Sequence, residues 1–243
     1  MSAGALRRVR IDHGPAASAA YGPAWAVVGI DIFRATSVIT TAVASGRPCH
    51  LAATREEALA LAARLPDSLL GGEQGGVVPG DFDLGNSPSA LARRDDVHRA
   101  LVLLTSSGTP LLRGAQRAGR VYAASLRNVS GQVRHLVQLS LDVVVIAAGT
   151  RGERRREDEY GAARVAAGLI AAGFEPDPAA KGVVSQYAHL DPEICATGRS
   201  AAFLRRTGRQ DDIDFVLEHQ DDLDAACEVD GTGVTAGRAR RSA

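Results

Sequence analysis

Three times along the chain, a short apolar run leads through a polar loop into a segment with helical spacing of its apolar residues. The apolar runs cover residues 24–33, 100–104 and 141–149. Strands that are apolar on both faces and alternate with helices are typical of a mostly parallel sheet covered by helices. The pattern therefore predicts an α/β protein in which each apolar run is a buried strand.

Two further segments have the character of helices. Residues 54–65 are rich in Ala and Leu, and Thr54 and Glu57 at their start have the spacing of a capping box. Residues 191–208 form a second helical region, which an acidic segment follows. The end of the chain, rich in Gly, Thr and Arg, is expected to fray.

A glycine-rich stretch at residues 69–88 is too long for an ordinary connection. Long irregular loops in compact domains are usually functional or disordered. This one carries Glu73, Asp83 and Asn86 on backbone that can approach a ligand closely, and an ordered polar loop without a ligand is the alternative. Four embedded apolar residues favour order: Val77, Val78, Phe82 and Leu84.

The first apolar run ends in GIDIFRATS, which puts Asp31 and Arg34 where a buried strand should stop. A carboxylate there can hold Mg²⁺, which prefers oxygen ligands, and the planar fork of an arginine can bind a phosphate or a carboxylate. Thr36 or Ser37 can cap the next helix. The alternative is an Asp–Arg ion pair and a helix cap that bind no ligand.

The second run ends in TSSGT, a turn that precedes a helix with Pro110 in its first turn. Hydroxyl groups and a flexible glycine in such a turn suit an anion at a helix N-terminus, and a capped helix without an anion is the alternative. The residues concerned are Thr105, Ser106, Ser107, Gly108 and Thr109.

The third run leads into a segment that combines several arginines, among them Arg151, with the acidic trio Glu157, Asp158 and Glu159. Acids in the first turn of a helix are stabilised by the helix dipole whether or not a ligand binds. In open α/β sheets, ligands gather at the carboxyl ends of the strands. The loops after all three runs therefore point to one shared site.

Composition narrows the classes of function. The 28 basic and 28 acidic residues give a formal net charge of +0, which argues against a nucleic-acid binder that relies on bulk charge. The P-loop, HExxH and GxSxG patterns do not occur in the sequence. Three cysteines without CxxC spacing favour a reducing compartment, and no apolar run reaches the roughly 18 residues of a membrane span. We therefore expect a cytoplasmic protein without a membrane partner.

Taken together, the motifs IDIFRATS, GGEQGG, FDLGNSP, TSSGT, SLRN, AGTRG and ATGR resemble the motif set of the 2-phosphosulfolactate phosphatase family in order and spacing. The likeness runs from about Val27 to Phe215. It implies a magnesium-dependent acid phosphatase that produces sulfolactate in a coenzyme M route. It also implies a three-layer α/β/α fold with a mostly parallel or mixed sheet, either undivided or in two α/β subdomains. The phosphatase domain would span residues 1–230, with residues 231–243 as a flexible tail.

The resemblance assigns roles residue by residue. Catalytic roles fall on Asp31, Arg34, Glu73 and Asp83. Mg²⁺ is expected on Asp31 and on one or more of Glu73, Asp83, Glu157 and Asp158. Substrate contacts are expected from Thr36, Asn86, Ser87, Thr105, Ser106, Ser107, Gly108, Thr109, Ser125, Asn128, Arg151 and Arg199. Two positions depart from the family pattern, namely Ser107, where Asn is usual, and Gln74, where Arg is usual.

The expected reaction is metal-assisted hydrolysis of a small anionic phosphoester, with Arg151 and Arg199 at the far anionic end of the substrate. The departures at Gln74 and Ser107 leave open a phosphatase for a different small anionic phosphoester. A non-catalytic binder of small anions is the other alternative, although an acidic cluster would serve it only with a bound cation. No nucleic-acid partner is expected, and the sequence leaves a homodimer open.

Overall fold

The computed structural model describes residues 6–237, and within them eleven strands share one sheet. The strands are β1 (Arg8–His13), β2 (Trp25–Ile30), β3 (Cys49–Ala52), β4 (Leu69–Gly72), β5 (Leu84–Gly85), β6 (Leu101–Leu104), β7 (Arg120–Ala124), β8 (Asp142–Ala147), β9 (Glu175–Pro176), β10 (Ala226–Asp230) and β11 (Gly233–Gly237). The α-helices of the same region are α1 (Ala35–Ala44), α2 (Arg55–Arg64), α3 (Pro88–Ala92), α4 (Gly108–Gly114), α5 (Val129–Val137), α6 (Arg156–Ala171), α7 (Pro178–Tyr187), α8 (Arg199–Arg206) and α9 (Gln210–Glu218). Short 3-10 helices cover Pro15–Ala20, Leu126–Asn128 and Pro192–Thr197.

The sheet consists of two parallel groups joined by an antiparallel hairpin. Its strand order is β5-β4-β6-β3-β11-β10-β7-β2-β8-β1-β9. The strands from β5 to β3 are parallel to one another, and so are the strands from β7 to β9. The strands β10 and β11 pair antiparallel with each other and with their outer neighbours β7 and β3, so the strand direction reverses between the two groups. This mixed sheet with its helices confirms the predicted α/β class.

Both faces of the central strands are buried, which explains why their sequences are apolar throughout. Val28 and Ile30 of β2 belong to one hydrophobic cluster together with residues of α5, α6 and α7. Val27, which points to the other face, belongs to a second cluster with residues of α1 and α4. In β8, Val145 belongs to the first of these clusters and Val144 belongs to the second. Helices therefore cover the sheet on both sides, in three layers.

The predicted strands and helices are present. The three apolar runs contain β2, β6 and β8, and each leads into a helix. At the start of α2, Thr54 Oγ1 accepts a hydrogen bond from the Glu57 N–H at 3.1 Å, while Glu57 Oε2 accepts one from the Ala53 N–H at 2.7 Å. The predicted helical region 191–208 contains the 3-10 helix Pro192–Thr197 and helix α8, with Gly198 between them. None of the helices in the described region has the length and apolar character to cross a membrane.

The glycine-rich stretch at residues 69–88 is ordered and contains strand structure that the sequence does not predict. The strands β4 and β5 lie near its two ends. Between them, the Gln74 N–H donates to Val77 O at 2.8 Å and the Val77 N–H donates to Gln74 O at 3.1 Å. The order does not come from burial of Val77 and Val78, which are 69% and 39% exposed. It comes from these backbone hydrogen bonds and from Phe82 and Leu84, which pack against hydrophobic clusters of the core.

The expectation of a flexible tail from residue 231 is wrong for residues 233–237, which form β11. Val234 of this strand pairs with Val229 of β10 and with Cys49 of β3, so β11 lies inside the sheet. A two-residue turn that begins with Gly231 connects β10 to β11, and such turns are a common hairpin connection. Residues 238–243 of the expected tail lie outside the described region.

Candidate active site

A cleft with a volume of about 430 Å³ lies where the loops after β2, β4, β6 and β8 meet α8. The loops that the sequence groups into one site thus come together. Two acids line the cleft, Asp31 and Glu73. Five arginines line it with them: Arg34, Arg151, Arg155, Arg199 and Arg206. The excess of positive side chains suits an anionic ligand.

Asp31 lies directly after β2 and is only 7% exposed. Burial raises its pKa to about 7, because a carboxylate that has lost its water is disfavoured. A long hydrogen bond of 3.3 Å from the Ala35 N–H to Oδ1 opposes this shift. The negative charges of Glu73 and Glu157 act in the same direction as burial. Asp31 is therefore a carboxylate that gains from either a proton or a cation.

Asp158 and Glu157 lie at the start of α6, behind Asp31. Asp158 is 3% exposed, and its two oxygens accept hydrogen bonds from the Ile32 N–H at 2.8 Å and the Gly149 N–H at 2.9 Å. It therefore ties the end of β2 to the end of β8. Burial, with the charge of Asp31, raises the pKa of Asp158 well above its usual range. Burial also raises the pKa of Glu157, whose Oε2 has no hydrogen-bond partner in the described region.

Glu73 and Ser106 join the loops that follow β4 and β6. Glu73 Oε1 accepts from the Ser106 N–H at 2.8 Å, and Oε2 accepts from Ser106 Oγ at 2.9 Å and from the Gly76 N–H at 2.6 Å. Ser106 Oγ in turn accepts from the Gly75 N–H at 2.7 Å. These bonds fix the Glu73 carboxylate at the cleft wall in one orientation.

Arg34 forms an ion pair, but its partner is not Asp31. Its Nη1 donates at 2.7 Å to Oδ2 of Asp212, which lies in the first turn of α9. The alternative of an Asp–Arg pair within GIDIFRATS is therefore wrong. Asp212 is fully buried and has no place in the sequence motifs. Its only local signal is its place in an acidic segment, which the structure shows as the first turn of α9, and acids are common in the first turns of helices that bind nothing.

Five of the predicted substrate residues line the cleft: Asn86, Ser106, Ser107, Arg151 and Arg199. Asn86 is 4% exposed, and its Oδ1 has no hydrogen-bond partner among residues 6–237. Arg151 Nη2 donates to Gly75 O at 3.4 Å, which links the loops after β8 and β4. Arg199 pairs with Glu153 at 2.6 Å, and Arg155 pairs with the same carboxylate oxygen at 2.9 Å.

Six other predicted substrate residues are buried in the hydrogen-bond framework and do not line the cleft: Thr36, Ser87, Thr105, Thr109, Ser125 and Asn128. Thr36 Oγ1 donates to Asp31 O at 2.9 Å, which fixes the exit of β2. The Thr109 N–H donates to Thr105 Oγ1 at 3.0 Å, and the Ser125 N–H donates to Asn128 Oδ1 at 3.0 Å. Direct substrate contact by these six gains no support from the geometry. Their side chains shape the loops that carry the site.

Asp83 and Gly108 also stand outside the cleft lining. The Leu70 N–H donates to Asp83 Oδ2 at 2.8 Å, so this exposed carboxylate pins β4 to the following loop. Gly108 packs against Asp31 from behind. A catalytic or metal-binding role for Asp83 therefore gains no support from its position.

Asp31 and Glu73 fit a magnesium ion that takes only part of its ligands from the protein. Across residues 6–237, no three His, Cys, Asp or Glu side chains gather in a geometry that could hold a metal by themselves. Mg²⁺, however, commonly takes one or two protein carboxylates and completes its shell with water and substrate phosphate. Asp31 and Glu73 suit that role, since both line the cleft. A cation would also relieve the repulsion that Glu73 and Glu157 exert on buried Asp31.

Comparisons with known proteins cover most of the chain. The sequence profile of the family described as 2-phosphosulpholactate phosphatase matches residues 14–229, which include every cleft residue named above. A protein of Deinococcus radiodurans named probable 2-phosphosulfolactate phosphatase is 34% identical over 217 residues, or 87% of this chain and 90% of that protein. A Thermus thermophilus protein of the same name is 32% identical over 216 residues, with the same two shares of 87% and 90%. A third, from Carboxydothermus hydrogenoformans, is 39% identical over 139 residues, which are 56% of this chain and 57% of that protein.

Proposed function

Because this chain belongs to the 2-phosphosulpholactate phosphatase family, we propose that it hydrolyses the phosphate ester of 2-phosphosulfolactate to sulfolactate and inorganic phosphate. The observation that carries the proposal is the charge arrangement of the cleft, where Asp31 and Glu73 lie among five arginines. The arginines suit a substrate with several negative charges. The two acids suit the divalent cation that such a substrate brings with it.

The proposed cofactor is Mg²⁺, held by Asp31 and Glu73. When bound, it supplies positive charge to the phosphoryl oxygens. Glu73 is already oriented by two amide donors, so little side-chain freedom is lost when it binds. Glu157 supports the site from behind, because its negative charge acts on Asp31. Asp158 does so by holding the ends of β2 and β8 together through its two hydrogen bonds.

The phosphoryl group itself would lie against Arg34 and Ser107, which line the cleft beside Asp31. Phosphoryl transfer spreads negative charge over the non-bridging oxygens, and fixed donors lower its barrier by stabilising that charge. One water is consumed: its oxygen bonds to phosphorus, the bond from phosphorus to the ester oxygen breaks, and the alcohol oxygen takes a proton.

The far end of the substrate, with its sulfonate and carboxylate, would meet Arg151 and Arg199. Both line the same cleft as Asp31, and an arginine can bind either group through two donors. Phe33 and Phe203 add apolar surface to the same cleft. A cleft of about 430 Å³ is large enough for a small organic phosphate and its water shell.

A phosphatase for a different small anionic phosphoester is the second candidate, and one observation favours it. Ser107, where the family usually has Asn, lines the cleft, so this departure changes the ligand surface. Gln74, the other departure, lies in the turn at the rim and is not part of the cleft lining. The substrate question therefore rests on Ser107.

The test is phosphate release by the purified chain with 2-phosphosulfolactate, 2-phospholactate and 3-phosphoglycerate, each with Mg²⁺ and with EDTA. We expect the highest kcat/KM for 2-phosphosulfolactate and loss of activity with EDTA. A preference for another phosphoester would support the second candidate. Binding of these anions without phosphate release would instead identify a non-catalytic binder.

We also propose that the chain works in the cytoplasm. Its three cysteines, Cys49, Cys195 and Cys227, are buried and form no disulfide. Free thiols are typical of a reducing compartment. If 2-phosphosulfolactate is the substrate, a place in a coenzyme M route follows from the product.

A further inference from the structure

Asp212 and Arg34 form a charge pair that is almost completely removed from water. Asp212 lies in the first turn of α9, and its side chain has no exposed surface, while that of Arg34 is 11% exposed. Arg34 Nη1 donates to Asp212 Oδ2 at 2.7 Å. Removing two charges from water is costly, and such pairs often stabilise a fold less than apolar residues of the same size would. Stability alone is therefore a weak reason for this pair.

The second oxygen of Asp212 binds the loop that follows β5. Oδ1 accepts from Ser87 Oγ at 2.5 Å, from Ser89 Oγ at 2.7 Å and from the Ser89 N–H at 3.2 Å. Asp212 therefore connects Arg34 to the loop that carries Ser87 and Ser89. The residue before Ser87 is Asn86, the buried cleft residue with an unpaired Oδ1.

The pair leaves most of Arg34 available to a ligand. A guanidinium has five N–H donors, and the single hydrogen bond from Arg34 within the described region uses one of them. Arg34 lines the cleft next to Asp31, and the charges of the two side chains interact without a hydrogen bond between them. Without Asp212, Asp31 would be an available partner for Arg34, since it lines the same cleft and its charge already interacts with that of Arg34. A pair between those two would occupy both groups.

We propose that Asp212 is a positioning residue of the phosphoryl site: it holds Arg34 away from Asp31 and fixes the loop of Asn86 at the same time. This inference rests on the proposed function, since it assumes that Arg34 binds the phosphoryl group. Asp212 itself touches no substrate. It acts by keeping the Arg34 guanidinium and the buried Oδ1 of Asn86 at fixed positions on the cleft wall.

A double-mutant cycle tests the proposal. Asp212→Asn keeps the shape of the side chain but cannot hold the guanidinium, and we expect kcat/KM for the phosphoester to fall about 10- to 100-fold. In an Arg34→Ala background the same change should cost less than about 2-fold, because the guanidinium is gone and Asn keeps an Oδ1 acceptor for Ser87 and Ser89, which fix the Asn86 loop. Asp211→Asn is the matched control, since Asp211 lies in the same helical turn and contacts Ser89 and Arg93 but not Arg34. We expect it to stay within about 2-fold of wild type.

Guanidinium rescue gives a readout that a purely structural role would not. Millimolar guanidinium should restore part of the activity of Arg34→Ala and none of that of Arg34→Ala/Asp212→Asn. An equal loss from Asp212→Asn in both backgrounds, or no loss at all, overturns the proposal. If Asp212→Asn does not fold, Asp212→Glu replaces it, because it keeps the charge but shifts the carboxylate by one methylene.

Failure of the proposed function can be told apart from failure of this inference. If the wild-type chain releases no phosphate from any phosphoester, the function is wrong. The same cycle is then measured as the dissociation constant of inorganic phosphate by titration calorimetry. If Asp212→Asn raises the dissociation constant of phosphate only when Arg34 is present, the positioning role is still supported. Any other pattern overturns it.

Discussion

Gly108 packs directly against Asp31: a Cβ atom at position 108 would lie 2.8 Å from Asp31 Oδ2 and 2.4 Å from the Cβ atom of Ala35. Gly108 begins α4, which follows β6, whereas Asp31 follows β2. These strands belong to the two different parallel groups of the sheet. The contact therefore joins the two groups at the point where the buried acid of the cleft stands.

Gly108→Ala should displace Asp31 and so reduce activity. The added methyl group cannot fit without movement of Asp31 or Ala35, and overpacking of this kind costs about 1–3 kcal/mol of stability. We expect kcat/KM to fall at least about 10-fold, because the cleft tolerates little shift of a catalytic group. The control is Gly182→Ala on α7, where a Cβ atom meets nothing within 4 Å. Full activity of Gly108→Ala would contradict the placement of Asp31 at the reacting centre.

Asp31→Asn should abolish phosphate release and raise the stability of the protein at pH 8. The pKa of Asp31 is raised from 3.8 to about 7, so the folded state keeps a proton that the unfolded state releases. The stability of the cation-free protein therefore falls as the pH rises from about 4 to about 7. Asn removes this loss, and we expect it to raise the free energy of unfolding at pH 8 by about 2–4 kcal/mol, with little change at pH 4.

Denaturant unfolding of wild type and Asp31→Asn at both pH values, with EDTA present, measures this effect. Phosphate release with Mg²⁺ should be lost in the variant. Lower stability of Asp31→Asn at pH 8 would show that Asp31 carries a stabilising charge, contrary to the desolvated site described above.

The sequence predicts the cleft loops but not the contacts that position their side chains. Three of the cleft loops follow buried apolar runs, whose ends are local signals, and the loop of Glu73 is indicated by its glycine-rich composition instead. Asp212 could not be found in this way, because its role depends on a partner far along the chain. Thr105 and Thr109 are of a residue type that suits anions, but their hydroxyls are buried in hydrogen bonds to each other's amides. The sequence does not predict strand β11, because this strand is short and glycine-rich and is defined by its pairing with β10 and β3.

Glu73→Gln and Asp83→Asn should have different effects, although both acids lie in the glycine-rich stretch. Glu73 lines the cleft, whereas Asp83 is engaged by the Leu70 N–H outside it. Loss of a carboxylate that holds Mg²⁺ should raise the Mg²⁺ concentration for half-maximal activity by about 10-fold or more. We expect Asp83→Asn to leave that concentration within about 2-fold of wild type. The reverse order would restore the role that the sequence motifs give to Asp83.

Arg151→Ala should weaken binding of the far end of the substrate. Arg151 lines the cleft on the loop after β8. An interaction made equally in the ground state and the transition state raises KM and leaves kcat unchanged. We therefore expect a roughly 10-fold higher KM for 2-phosphosulfolactate, corresponding to about 1.4 kcal/mol. Ethyl phosphate, which has no second anionic group, is the matched substrate, and an equal rise in its KM would assign Arg151 to the phosphoryl group instead.

Val234→Ala should destabilise the whole fold, because β11 and β10 together form the junction between the two parallel groups. Val234 is 7% exposed and packs in the cluster that also contains Cys49 and Leu51 of β3. Loss of two buried methyl groups there should cost about 1–3 kcal/mol, measured by denaturant unfolding. Thr235→Ala on the same strand is the control, since Thr235 is exposed and should change stability by less than about 0.5 kcal/mol. Equal and small effects of both changes would mean that packing of the Val234 side chain contributes little to stability, and that contacts outside the hairpin, such as that of Gly108 with Asp31, hold the two groups together.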